Sequence, residues 1–519
     1  MADLQRVEIK NVVGISYDPN PSDVLAQVWT GGLNVKFRNG RVEKADGLSR
    51  VFPPTPAAPL HLQPYLSQNI PYWIMGSTTK LYRTEGSSWV DVSRTTGGDY
   101  AATLDNNWNG GILNQVVVLN NGVDKPQSLK PTDSDFTDLP NWPATYRAKV
   151  MRPFKNYLVA LGITVSSVEQ PTTVKWSSPA DPGEVPFTWD VTDVTNDAGE
   201  NSLADTTGAI VDGKKLKDSF IIYKEDSVYS MRYIGGTFVF QFQQLFDDVG
   251  MLAPNCAAEF DGKHFVVGQG DVYVHNGVQK SSVIDGRMKN YLYNSIKNTT
   301  VKAVFVVPDY NNNEMWICFQ SADNIVTGSP YANRALIWNW KDDNWTIREI
   351  PETPAATYGI VDPQVSDAWD DDSNTWDSDT TAWGNASYNP SKSKLVFAGN
   401  QQMTIFAVGD TNLYDGATFK ARVDRNQVYL NDDQKIKFVS SITPHLSGVG
   451  VCNIYVGSNM LHDAPTEWFG PYQYTIGVDD KIDCRVSGRY VGVRFEFETQ
   501  GSWTLNGYTA EFTPTTGKR

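Results

Sequence analysis

The stretch that decides the reading runs KAVFVVPDYNNNEMWICFQ over residues 302–320 and, after a polar interruption, RALIWNWKDDNWTIREIP over 334–351. Residues 304–307 are a short β-branched and aromatic run, and 309–313 form a turn cluster. In 314–320, Met315, Ile317 and Phe319 alternate against Trp316, Cys318 and Gln320, the period of a strand. Residues 334–340 give a third strand, 341–344 a tight turn and 345–350 a fourth strand. Four short strands joined by hairpins within about fifty residues predict one up-and-down antiparallel sheet, the size of a propeller blade. Such a sheet has two hydrophobic faces and needs neighbours like itself.

Outward from this unit the pattern recurs. Strand runs with Gly, Asn or Asp turns occupy 72–92, 114–129, 156–176, 219–243 and 259–284, and a closing part occupies 394–414. GDVYVHNG, DSVYSMRYIGG and TNLYDGATF are versions of one local phrase. Before them, residues 34–38 alternate as a strand, Asn39-Gly40 is a two-residue hairpin signal, and 41–44 return. The run VFPPTPAAP (51–59) reads as a stiff connector. After residue 431 the strands come at short spacing, and RYVGVRFEFET alternates strictly. These readings predict an all-β chain. Residues 1–59 are expected as an N-terminal hairpin segment with a Pro-rich connector, 60–430 as a β-propeller body and 431–519 as an additional C-terminal β-sandwich.

Composition narrows the function. The chain has 519 residues, a formal net charge of -15 and 12% aromatic residues. Its mean hydropathy is -0.38, which fits a folded, water-exposed chain with a large core. The acidity argues against a sequence-reading nucleic-acid binder, which needs a basic stripe to neutralise phosphates. Composition alone favours a charge that serves solubility, and it is also compatible with a passage along which DNA slides without adhering. Cys256, Cys318, Cys452 and Cys484 show no metal spacing and read as unpaired thiols in or near cores, with a Cys452–Cys484 bridge as the alternative. The opening MADLQRVEIK has no apolar segment of a secretory signal, and no apolar run suffices to span a membrane, so folding in a cytosol without membrane insertion is expected.

No constellation points to a reaction. His61, His264, His275, His445 and His462 have no partners at metal spacing, and His264 sits in an alternating strand as a satisfied core or edge residue. G-x-S-x-G, a phosphate-binding glycine loop and H-E-x-x-H are all absent from the sequence. No cofactor, metal or catalytic residue is therefore expected. The most unusual stretch is AWDDDSNTWDSDTTAW (368–383), with Trp369, Trp376 and Trp383 seven apart and Asp370, Asp372, Asp377 and Asp379 between them. A calcium loop would want the glycine turn and bidentate Glu that it lacks. Sugar stacking on the Trp faces is another reading, and a structural loop with anchored Trp and solvated Asp is preferred. The acidic loop DVTDVTNDAGEN (190–201), with Asp193, Asp197 and Glu200, fits no metal template.

Five stretches in order also resemble one family: 34–47, 253–277, 337–346, 369–383 and 488–512. They are similar to tail hub or nozzle proteins of short-tailed bacteriophages, also called tail tubular or packaged-DNA stabilisation proteins. The resemblance implies a structural virion protein, assembled in the host cytoplasm and located in the tail. It implies a ring, usually of six copies, below the portal and its adaptor ring, which contacts tail fibres or spikes. Double-stranded DNA passes through transiently and without sequence preference, and the ring helps retain the packaged genome. On this reading Asp193, Asp197, Glu200, Asp370, Asp372, Trp376, Asp377 and Asp379 are the candidate interface or lumen residues. The rival readings are a propeller glycosidase or depolymerase, and a carbohydrate-binding module acting on host surface sugars. The enzyme would need two converging carboxylates of separated pKa.

Overall fold

The computed structural model describes residues 4–67, 70–86, 88–193, 195–236, 238–322, 329–361, 390–430, 434–462 and 464–515. Seven four-stranded antiparallel sheets form the blades of a propeller, and two larger sheets form a sandwich beside it. Blade 1 spans residues 61–91, blade 2 109–138, blade 3 146–202, blade 4 210–246, blade 5 257–282 and blade 6 305–353. Blade 7 consists of Ala356–Ile360, Ser393–Gly399 and Thr404–Val408, completed by Leu48–Arg50 from near the start of the chain. The first strands of the blades lie side by side in cyclic order, and Ala356–Ile360 packs beside His61–Ser67 to close the ring. Trp73 of blade 1 seals that junction by donating its indole N–H to the Ile360 carbonyl at 2.8 Å.

Blade 6 is the unit the sequence announced. Phe305–Asp309, Glu314–Phe319, Ala332–Asn339 and Asn344–Thr353 pair in sequence order. Its faces are apolar on both sides, and Trp316 and Trp345 are fully buried against neighbouring sheets. That burial holds the blades together, since each apolar face is removed from water only by the next blade.

The expected division at residues 59 and 431 does not follow the strand pairing. Gln5–Lys10, Val35–Arg38 and Arg41–Lys44 join one sheet of the sandwich with Lys437–Gly448, Ile482–Gly488 and Trp503–Pro514. Gly31–Leu33 and Ala421–Val428 join the other with Val451–Asn459, Glu467–Thr475 and Tyr490–Phe497. The early strands cannot stand as a hairpin segment of their own, because a two-stranded ribbon leaves its apolar face in water. The expected hairpin at Asn39-Gly40 is present. Both turn residues take positive φ, 50° and 72°, the type I′ geometry that matches strand twist.

Trp29, 1% exposed, lies between the sheets, with its ring 6.0 Å from Phe495 and 6.2 Å from Tyr508. All four cysteines are free and buried. Trp29→Ala is expected to cost about 3–5 kcal/mol, the range for a large aromatic lost from a packed core. Denaturant titration of the full chain checks this, and a loss under about 1 kcal/mol would mean that the sandwich core does not depend on that ring.

Candidate functional site on the propeller axis

A cavity of about 340 Å³ lies where the blades converge. His61 and Gln63 reach it from blade 1, Arg152 from blade 3, Lys214 from blade 4, and Tyr310 and Tyr358 from the blade 6 and blade 7 side. Arg152 is the hub of the wall. Its Nε and Nη2 donate to the two oxygens of Asp212 in blade 4, at 2.9 and 2.8 Å. Nη1 donates to the Gly110 carbonyl of blade 2 at 3.1 Å, and Nη2 to Asn255 Oδ1, just before blade 5, at 2.8 Å. Asn255 N–H returns to Asp212 at 2.9 Å, and its carbonyl accepts from Val306 N–H of blade 6 at 2.9 Å. Burial alone would raise the Asp212 pKa, but the Arg152 charge and the bonds it receives hold the carboxylate below its ordinary range.

Lys214 projects from the same strand as Asp212, and its ammonium donates to the Ala257 carbonyl at 3.0 Å. Its side chain stays accessible within the cavity, while the surrounding protein and the Arg152 charge push its pKa down to about 8. Burial lowers the His61 imidazole to about 3, with Arg152 adding to the effect, and His61 Nε2 is buried without a hydrogen-bond partner.

Two further polar clusters sit between elements. His264 and His275 face each other across adjacent strands of blade 5, and Tyr223 of blade 4 places its hydroxyl 2.6 Å from His264 Nδ1 and 2.6 Å from His275 Nε2. The tautomers follow from the outer partners. His264 Nε2 lies 2.8 Å from the Lys215 carbonyl, which only accepts, so its proton is on Nε2. Gly277 N–H donates to His275 Nδ1 at 3.2 Å, so His275 carries its proton on Nε2. The chain therefore runs in one direction: Gly277 to His275, to Tyr223, to His264, to Lys215. All three side chains are fully buried, and burial pushes His264 to about 3 and His275 to about 4. The expectation that His264 is a satisfied core residue describes what is found.

At the joint between blade 6 and the sandwich, Asn34 donates to Glu349 at 3.1 Å and accepts from Glu349 N–H at 2.9 Å. Beside it Arg38 lies 3.4 Å from Glu314 and 2.5 Å from Asn312. Burial, then the nearby Asp309 charge, raises Glu314 to about 7 against the opposing pull of Arg38.

The acids singled out from the sequence lie elsewhere. Asp193 is exposed and caps its own turn, accepting from Thr195 N–H and Oγ1 at 2.9 and 2.6 Å. Asp197 accepts from the Tyr157 hydroxyl at 2.9 Å, and Glu200 pairs with Lys175 at 3.2 Å on the last strand of blade 3. None of these three lines the axial cavity. Asp370, Asp372, Trp376, Asp377 and Asp379 lie outside the described residues. Sequence reasoning missed Arg152, Asp212 and Lys214. The available signal was charge inside IVDGKKL (210–216), a segment too polar to read as a strand. Among the described residues, no group of three or more His, Cys, Asp or Glu could hold a metal ion.

The strand order and closure define the class: an all-β protein with a seven-bladed propeller and a β-sandwich built from both ends of the chain. No protein-family model matches the chain, and no curated protein matches it. Among solved structures it is similar to a functionally unknown protein from Desulfotomaculum acetoxidans DSM 771. That match has 12% identity, covers 60% of this chain and 96% of the other, and has a TM-score of 0.34. A second is the AfRom2 CNH domain, at 9% identity over 70% of this chain and 98% of the other, with a TM-score of 0.35. A third is PorZ, a surface component of the type-IX secretion system of Porphyromonas gingivalis, at 8% identity over 73% and 43%, with a TM-score of 0.34.

Tyr223→Phe should destabilise the chain by about 2–4 kcal/mol, because it leaves one nitrogen on each histidine buried and unpaired. The neutral pair contributes stability above pH 6.5, and this is lost as pH falls through about 4 and about 3, since the unfolded state binds the protons first. Unfolding midpoints measured from pH 7 to pH 4.5 test both points. A variant as stable as the parent across that range would remove the relay from the account.

Glu314 carries the opposite sign. Its folded pKa is raised, so its contribution is present below about pH 4.5 and is lost as pH rises through about 7. The gain in stability of Glu314→Gln over the parent should grow between pH 5 and pH 8, on the order of 3 kcal/mol at the upper end. Parallel denaturation curves at both pH values would contradict it.

Proposed function

We propose that this protein is a structural tail component of a short-tailed virus, a nozzle subunit that works as part of a ring of its own copies. The observation that carries the reading is the ordered set of resembling stretches, together with where they meet. Four of them, 34–47, 253–277, 337–346 and 488–512, contribute to one buried core that joins blades 5 and 6 to the sandwich. Val35, Phe37 and Val42, Ala257 and Phe265, Trp338 and Trp345, and Tyr508 and Phe512 all belong to it. This common core supports the reading, because a ring-forming subunit must hold its two parts at a fixed angle. The fifth, 369–383, lies outside the described residues.

The mechanism is mechanical and electrostatic. The axial cavity has the volume of a small-ligand site and is crossed by the Arg152 network, so a duplex does not pass through one propeller. The conduit is formed between copies, by outer surfaces, and a chain of net charge -15 presents walls to which DNA does not adhere. Closing such a ring requires a head-to-tail interface. Its partners are the adaptor ring above and fibres or spikes alongside, and the ring plugs the packaged genome until ejection. A sugar-cleaving propeller would need a protonated acid beside an ionised carboxylate; the described residues lining the axial cavity include no carboxylate, and Asp212 next to it is neutralised by Arg152.

Native mass measurement and electron imaging of the purified chain, alone and with its portal–adaptor complex, test this reading. A closed ring, or stoichiometric capture on the adaptor, is the expected result. A monomer that ignores the adaptor and releases reducing ends from surface polysaccharide would overturn it.

A further inference from the structure

We propose that the axial cavity is a binding site for a small oxyanion, phosphate or a phosphomonoester, held by the ammonium of Lys214. This inference is independent of how copies assemble. It starts from a charge count in the wall. Arg152 contributes one positive charge and Asp212 cancels it through two hydrogen bonds at 2.9 and 2.8 Å. Lys214 contributes a second positive charge, and among the described residues no carboxylate lies within ion-pair distance of it. Its ammonium has three donors and spends one on the Ala257 carbonyl, leaving two directed at the space around it.

The surrounding protein and the Arg152 charge disfavour the Lys214 cation, Asp212 and Glu259 favour it from beyond ion-pair distance, and its exposed side chain stays reachable from the cavity. Asp212 is itself committed to Arg152. A tetrahedral oxyanion supplies a direct ion pair and accepts both free ammonium donors. His61 stands in the same wall, but its Nε2 has no accessible surface, so it shapes the cavity and does not donate into it. The lining mixes polar groups, His61, Gln63, Asn107, Arg152 and Lys214, with apolar ones such as Phe305 and Val307, as a site for a small polar anion requires. The volume of about 340 Å³ accommodates a phosphomonoester with a small organic moiety.

The test is titration calorimetry of the full chain with inorganic phosphate and with glycerol phosphate at constant ionic strength, alongside thermal melting in the same buffers. Saturable binding of one anion per chain and a raised melting temperature are expected. Lys214→Met should weaken binding at least tenfold while melting no lower than the parent in phosphate-free buffer, and Lys214→Arg should bind within tenfold of the parent. Lys217→Met, a neighbouring lysine that does not line the cavity, should bind as the parent does. Absence of saturable heat with both anions would overturn the proposal, and so would undiminished binding by Lys214→Met. Acetate binding as tightly as phosphate would overturn the phosphate assignment.

Discussion

The guanidinium of Arg152 bonds to groups on both sides of its own blade, and the rest of the propeller is arranged around that fact. Apolar faces bring blades together, but dispersion and burial are non-directional and tolerate sliding of one sheet over the next. The planar fork of an arginine does not. By bonding Gly110, Asp212 and Asn255 at once, it fixes the spacing of blades 2 to 5 at their innermost strands. A buried ion pair is not in itself a source of stability, because the desolvation of two charges offsets their attraction. Its consequence here is geometric: it holds one arrangement of the ring, and among the described residues it leaves Lys214 beside it with no carboxylate at ion-pair distance.

A second constraint comes from the ends of the chain. Leu48–Arg50 completes the last blade, and the strands before it complete both sheets of the sandwich. Neither part is built from one contiguous segment. The short path of residues 51–59, with Phe52 packed against Trp73 and Trp89, carries the chain from the outer edge of blade 7 into blade 1. Closure of the ring and completion of the sandwich are therefore linked through the same fifty or so residues, and the contacts that matter most are far apart in sequence, which is the slow-folding class of topology.

Legibility in the sequence was uneven, and for a physical reason. The middle strands of the blades, such as Glu314–Phe319, Ser219–Lys224 and Lys263–Val267, are sandwiched by apolar neighbours and read clearly. Several of the innermost strands did not. HLQPYLS, NGGIL and IVDGKKL carry Pro, paired Gly and paired Lys, because one side of each faces a polar axis and not a core. These are also the strands that supply the candidate site, so the pattern that revealed the fold concealed the cavity. The histidines show the same limit: His264 and His275 share no spacing motif, yet strand pairing puts them opposite each other and Tyr223 arrives from another blade.

What the sequence determined by itself was local: strands, tight turns such as Asn39-Gly40, an all-β class and repeated blade-sized sheets, all of which depend on residues a few positions apart. The tertiary structure alone decided the number of blades, the sharing of both chain ends between propeller and sandwich, and the meeting of Arg152, Asp212 and Lys214 on the axis. Those outcomes depend on which surfaces meet and which charges come together once the ring closes, and such encounters leave no periodicity along the chain.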